Sequence, residues 1–326
     1  MSNTTDQKIR LLALYELLQR KTDETHSMTT QEIIESLAER GIEVQRKTVY
    51  KDIDVLNRYG YEILCDHSHS NRYYVVTRKF ERSEVQVLLS AVSASQLLSD
   101  KKTATLIHKL LELLGVGEAE QLQGQLSGSS NKHNNERVYY SIDAIITAIH
   151  GKKKVSFLYF DYAPNGKREY RKDKKRYYVN PLGLAYSDDK LYLICYHDKF
   201  DTPTNYRIDR MDEVQVDKHS INKKAEFETF DINNYRQEQF YMFGGTTEEI
   251  ELIFPQELLE IAIDRFGEDI TPENNDNGEY IIKTQVQVSK TFFAWLTTFE
   301  GRVKIKSPIN VKEQYAEFIK NIAKSL

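Results

Sequence analysis

Apolar residues recur at helical spacing three times within the first sixty positions. Ile9, Leu12, Ala13 and Leu17, joined by Leu14 and Leu18, predict a helix from about Gln7 to Arg20. Ile33, Ile34, Leu37 and Ala38 predict a second, opened by Thr29 with Glu32 at capping-box spacing and stopped by Gly41. Val49, Ile53 and Leu56 are the apolar stripe of a third, QRKTVYKDIDVLNR at residues 45–58, which ends at Tyr59-Gly60. The period then shortens: Tyr61–Leu64 and Tyr73–Val76 read as two short strands around CDHSHSNR.

Helix, helix, turn, helix, hairpin is the order of a winged helix-turn-helix, in which the second helix braces the third in a DNA groove. The third helix carries the matching chemistry. Opposite its stripe stand Lys47, Tyr50, Lys51, Asp54 and Arg58, flanked by Gln45, Arg46 and Thr48. Lysines suit phosphates, while Gln45, Thr48 and Tyr50 suit base edges. The expected DNA contacts are therefore Gln45, Arg46, Lys47, Thr48, Tyr50 and Lys51, with Arg72 at the wing tip. The bland alternative is a small helical domain used for protein contact. Cys65, His67 and His69 could suggest a metal, but a closed zinc site needs four ligands and no second cluster completes one. No metal is expected.

Residues 81–114 predict two helices broken near Ser99-Asp100, with more apolar positions than one solvated face needs, so they are expected to pack on a partner or neighbouring domain. Gly115 to Glu136 shifts to Gly, Ser, Gln and Asn and reads as a linker. The helix YYSIDAIITAIHG follows. Strand periodicity then takes over in KVSFLYF, NPLGL, KLYLICY and NYRIDRM, close-spaced runs with Gly, Pro, Asn and Asp turns that suggest a small curled sheet or barrel. After the aromatic connector Phe240–Gly245, strands (EEIELIF, EYIIKTQVQVS, RVKIKSP) alternate with helices. Pro255 is placed at a helix start, Gly267 and Gly301 at helix ends, and Trp295 in a core. This alternation fits a ferredoxin-like α/β sandwich.

At 326 residues the chain needs two or three domains. Its net charge of -4 hides an asymmetry. Residues 152–176 hold ten Lys/Arg against three Asp/Glu, whereas 226–326 hold ten against eighteen. A polyanion site can thus sit inside a mildly acidic protein, and Lys175 and Arg176 are weaker candidates for it. Two cysteines far apart, no leader-like apolar start and no long apolar run predict a cytoplasmic protein without disulfides or membrane spans.

Taken together, RKTVYKDIDVLNRYG, FLYFDY after a basic turn, VNPLGL, KLYLICYH, NYRIDRM and the AWLTTFEG/VKIKSP pair resemble the WYL-domain transcriptional regulators over nearly the whole chain. The resemblance implies an α+β multidomain protein: a winged helix-turn-helix (1–80), a helical connector and linker (81–137), an SH3- or Sm-like β-barrel WYL domain (138–222) and a WCX-type C-terminal extension for oligomerisation or signal relay (223–326). It implies a homodimer on double-stranded operator DNA, with a nucleic-acid fragment or nucleotide as effector, held by Tyr159, Tyr192, Arg207 and Arg210. Asp209 is expected to restrain an arginine. The family's tripeptide is Leu191-Tyr192-Leu193 here, without its Trp, and Gln45 stands where relatives often place a Ser or Thr cap. No catalytic cluster or cofactor motif is found: P-loop, GxGxxG, HExxH and GxSxG patterns are absent from the sequence. The alternatives are a nucleic-acid-binding adaptor and, further off, a nucleotide-processing enzyme with a DNA-targeting head.

Overall fold

The structure, a computed structural model, describes residues 4–67, 70–124, 137–200, 202–222, 228–275 and 278–325. The chain divides into two compact units, residues 1–134 and 135–326.

The first unit opens with α1 (Thr4–Lys21), β1 (Met28–Thr29), α2 (Thr30–Ala38), α3 (Arg46–Arg58), β2 (Ile63–Asp66) and β3 (Arg72–Val75). The capping box forms where its spacing predicted: Glu32 N–H donates to the Thr29 hydroxyl at 3.2 Å, and Thr29 N–H donates to the Glu32 carboxylate at 2.6 Å. Leu14, Leu17 and Leu18 of α1 meet Ile33 and Leu37 of α2, Val49, Ile53 and Leu56 of α3, and Ile63 and Val75 of the hairpin in one core. The buried face of α1 is thus rotated from the expected one, and Ile9 and Leu12 are exposed. β1 lies where a polar loop was expected. Its two residues pair with Tyr73 and Arg72, because the hairpin offers an open edge to any extended neighbour. Ser68 and His69, expected near the wing tip, lie outside the described residues.

Three further helices complete this unit: α4 (Arg82–Ala94), α5 (Asp100–Leu111) and α6 (Val116–Gln123). The break between α4 and α5 falls at Ser99, whose hydroxyl accepts the Lys102 N–H. α6 corrects the first part of the expected linker. Leu122 joins Val85, Leu89 and Leu114 in a small core, which outweighs the local composition. Residues 125–136 of that linker are not among the described ones. Buried Asp23 ties the loop after α1 to α6, accepting the Gly117 N–H at 2.8 Å and the Thr25 hydroxyl at 2.7 Å. A Cβ at Gly117 would come within 2.2 Å of the His26 ring, so any other residue there would force that ring aside.

The second unit begins with α7 (Arg137–His150) and β4 (Lys153–Tyr162), β5 (Arg168–Tyr170), β6 (Tyr177–Ser187), β7 (Lys190–Tyr196), β8 (Thr204–Arg207) and β9 (Met211–Ser220). The antiparallel order is β5-β4-β6-β7-β8, and β9 pairs with β4. Only the short 3₁₀ turn Ile208–Arg210 links β8 to β9. Such a turn cannot cross the four strand spacings of a flat sheet, roughly 19 Å, so the sheet has to curl. Aromatic rings fill the curl: Phe157 stacks on Tyr177 at 5.4 Å, and Tyr206 meets Phe157 and Tyr159 edge-on at 5.1 and 5.0 Å. The turn at Ile208–Arg210 also corrects the strand expected through NYRIDRM. Arg207 and Asp209 still share one side, as strand spacing predicts, and are hydrogen-bonded there while Ile208 is fully buried.

Next come α8 (Ile232–Glu238), absent from the sequence-based expectation, and the connector, whose Phe240 bridges Phe243. Tyr235 and Met242 are buried with Ala185 and Ile194 of the curled sheet. The chain ends with β10 (Thr246–Pro255), α9 (Leu259–Phe266), β11 (Glu273–Asn275), β12 (Glu279–Val288), α10 (Lys290–Thr297), β13 (Lys304–Ser307) and α11 (Ile309–Lys324). Their strands lie in the order β11-β12-β10-β13, all antiparallel, over a core that includes Ile250, Leu252, Phe254, Ile282, Phe292 and Leu296. Trp295 packs against this core. Pro255 closes β10 and, as expected, stands at a helix start: it caps the 3₁₀ turn Gln256–Leu258, which runs directly into α9.

Candidate nucleic-acid interface and ligand cavity

α3 is held from beneath. Val49, Ile53 and Leu56 anchor it, and buried Asp52 receives Arg10 of α1 through Nε at 2.6 Å and Nη2 at 3.1 Å. Gln45, Arg46, Lys47 and Lys51 are exposed and Thr48 is half-buried. Gln45 occupies the cap position in extended conformation, yet its side chain makes no cap hydrogen bond. Its amide, and the first N–H groups of the helix, are therefore left to solvent or to a ligand.

Two expected contacts sit differently. Tyr50 is half-buried, 6.3 Å from the Tyr73 ring, with the Thr30 hydroxyl 3.5 Å from its own. It belongs to the base of the face rather than its outer side. Arg72 stands at the tip end of the wing, but its side chain is engaged within the unit. It opens β3 in register with Asp66 and Thr29, and its guanidinium donates to the Ser27 hydroxyl at 2.9 Å and the Ser27 carbonyl at 2.5 Å, with Glu32 3.8 Å away. Those contacts turn the side chain back to brace β1.

In the second unit, Tyr159, Tyr192, Arg207 and Arg210 line one cavity of about 400 Å³. Strand register explains the meeting: Tyr192 of β7 pairs directly with Arg207 of β8, and the Tyr159 hydroxyl of β4 accepts the Arg207 N–H at 3.2 Å. The 3₁₀ turn then brings Arg210 to the same wall. Burial pushes the Tyr159 and Tyr192 phenols up from their ordinary pKa, so both stay neutral donors at physiological pH. Burial alone would lower the Arg207 guanidinium, but its hydrogen bonds to Asp209 outweigh this and raise it. Asp209 is thus an arginine's partner, as expected.

Two sets of residues completing the cavity were not singled out for it from the sequence. Arg171, from the basic run, places its guanidinium 5.1 Å from the Tyr159 ring centre. Asp161 accepts from Arg171 at 2.5 and 3.1 Å and from Arg210 at 2.9 Å, and the Arg171 bond leads in holding this carboxyl below its usual range. The connector supplies Tyr241, Met242, Phe243 and Gly244 as the facing wall. FLYFDY contained Asp161 and the connector was visibly aromatic, but nothing local in sequence joined them to the arginines. The weaker candidate Arg176 is occupied by Glu213 at 2.9 Å and by Ser156, while Lys175 is exposed. Among the described residues no group of three or more His, Cys, Asp and Glu could hold a metal ion, both cysteines are free, and no helix is long and apolar enough to cross a membrane.

The curled sheet is also where a family model matches. Residues 141–216 fit the model described as the WYL domain, from within α7 to within β9. This segment is a WYL domain. Leu191 and Leu193 of its LYL tripeptide are half-buried and buried, so the missing Trp leaves an apolar position apolar. Among solved structures the chain is similar to proteasome accessory factor B/C (PafBC) of Arthrobacter aurescens, at 17% identity and a TM-score of 0.30, over 97% of this chain and 48% of that one. The chain spans about half the length of that structure. No curated protein matches it.

Proposed function

We propose that the protein is a DNA-binding transcriptional regulator, a cytoplasmic homodimer whose operator affinity is set by a nucleotide or nucleic-acid fragment bound in the WYL domain. The observation that carries this reading is α3 itself: its apolar stripe is buried while Gln45, Arg46, Lys47 and Lys51 stand exposed on an otherwise braced helix. Three helices with a three-stranded wing support a winged helix-turn-helix, with α3 as the element that enters the major groove. Lys47 and Lys51 take phosphates, and Gln45 and Thr48 reach base edges. Tyr50 and Arg72 act by holding that face in place.

In the WYL domain, the forked guanidiniums of Arg207 and Arg210 suit a phosphate, and Tyr159 and Tyr192 suit a base. Effector binding alters DNA affinity only through its preference for one dimer arrangement. The β-α-β-β-α-β order of residues 246–307, with its outer strands β11 and β13, supports a ferredoxin-like extension that relays or oligomerises. The test is electrophoretic binding of the purified protein to its own upstream DNA over a salt series, with and without added oligonucleotide. The expected result is a retarded complex with a steep salt slope, whose midpoint shifts when oligonucleotide is added. No complex at low salt overturns the DNA reading; a complex indifferent to oligonucleotide overturns the effector.

A further inference from the structure

We propose that a second cavity in the residue 135–326 unit binds a small monocarboxylate carrying a flat apolar body. This site does not depend on the DNA reading. The cavity holds about 500 Å³ between the turn joining β6 to β7, the end of α8 and α9, a volume in the range of small-molecule sites.

Arg265 of α9 decides the ligand's charge. Its guanidinium lies 3.9 Å from the centre of the Phe240 ring and, among the described residues, donates one hydrogen bond, to the Gln239 carbonyl at 2.7 Å. No carboxylate among the described residues forms an ion pair with it. Burial pushes its pKa down, opposed by Asp188 and Tyr241. A largely desolvated cation with spare donors and no carboxylate in direct contact is costly, and an incoming carboxylate supplies that contact through the guanidinium fork. Arg236 of α8 lines the same cavity, and its guanidinium makes one long bond of 3.4 Å, to the Tyr186 carbonyl.

The remaining lining sets the rest of the ligand. Trp295 and Tyr241 line the cavity with rings that suit a planar apolar body, and Phe240 backs Arg265 from beneath. Asp188 and Asp264 also line the cavity, and both are exposed, so they stand towards solvent. They repel a second or third negative charge, which selects a single carboxylate over a nucleoside polyphosphate. The WYL cavity has a different balance: the three arginines that line it, Arg171, Arg207 and Arg210, are each already hydrogen-bonded to Asp161 or Asp209.

Trp295 is the chain's single tryptophan, so its fluorescence reports on this cavity. Benzoate titrated into the full-length protein should change that emission saturably, and Arg236→Gln should weaken the affinity about tenfold while leaving the thermal melt in place. Arg265→Lys keeps the charge but loses the fork, and should weaken binding as well. Arg207→Ala, in the WYL cavity, should leave the titration unchanged. No saturable change by about 10 mM benzoate overturns the proposal. So does an equal affinity in Arg236→Gln, loss of the response in Arg207→Ala, or ATP binding at Trp295 more tightly than benzoate.

Discussion

Arg207 and Asp209 stand two residues apart and are joined by two parallel hydrogen bonds, Nε to Oδ1 at 3.1 Å and Nη2 to Oδ2 at 2.7 Å. The carboxylate is 5% exposed and the guanidinium 23%, so the acid is fixed inside the turn while the fork still reaches the cavity. Removing the acid should cost about 1–3 kcal/mol of stability, because a half-buried cation loses its partner. Asp209→Ala should also weaken effector binding several-fold by freeing the fork. Calorimetric titration with an oligonucleotide, beside a denaturant melt, separates the two effects; tighter binding in the variant would refute the restraint.

The double change Arg207→Ala with Arg210→Ala should leave the fold intact and abolish the effector response. Both guanidiniums lie at the cavity wall rather than in a core, so the circular dichroism spectrum is expected to match the wild type. A regulator that still responds normally would remove this cavity from consideration.

On α3, Lys51→Ala should weaken all DNA sequences alike and lower the salt slope by about one unit, as loss of one phosphate contact does. Gln45→Ala should instead discriminate between operator and random DNA, costing about 1–3 kcal/mol on the operator alone. Band-shift assays at several salt concentrations read both quantities.

Arg10→Ala leaves Asp52 nearly enclosed in the α1–α3 contact without its cation. The expected loss is about 2 kcal/mol from the N-terminal unit, visible as an earlier urea midpoint. A variant carrying Arg10→Met and Asp52→Leu together should recover much of that loss, since neither partner is then left buried alone.

Asp23 gives the pH prediction. Burial alone would raise its carboxyl, but hydrogen bonds from Thr25, Gly117 and His26 outweigh it and bring it down to about 2. A carboxyl depressed on folding stabilises the native state above its unfolded pKa near 4 and loses that contribution as pH falls through 2. The amount is about 2 kcal/mol, lost between roughly pH 4 and pH 2. Asp23→Asn should flatten that segment of a stability-versus-pH curve, and an unchanged curve would refute the role.

What could be read from the sequence was what local periodicity controls. The Thr29–Glu32 box and the Val49–Ile53–Leu56 stripe need only neighbours three or four positions away. β1, α6, α8 and the Ile208–Arg210 turn are too short to carry a period of their own, and each exists because a distant surface receives it: Tyr73 for Met28, Leu114 for Leu122, Ala185 for Tyr235. The same limit governs the sites. Tyr159, Tyr192, Arg207 and Arg210 were picked out by resemblance and do share a cavity, whereas Arg171 and Tyr241 reach it through tertiary folding alone. The contacts of Arg72 with Ser27 were not visible because its register with Thr29 depends on a two-residue strand that no pattern announces.

Tyr241 and Met242 take left-handed backbone angles, φ 55° and 56°, which non-glycine residues adopt only under restraint. Tyr241 borders both cavities of the second unit, so one strained link is a common partition between them. Any occupant that shifts this tyrosine alters the neighbouring chamber, and thermodynamic reciprocity makes the exchange equal in both directions. Two chemically unlike molecules would then be weighed against each other at a single phenol ring.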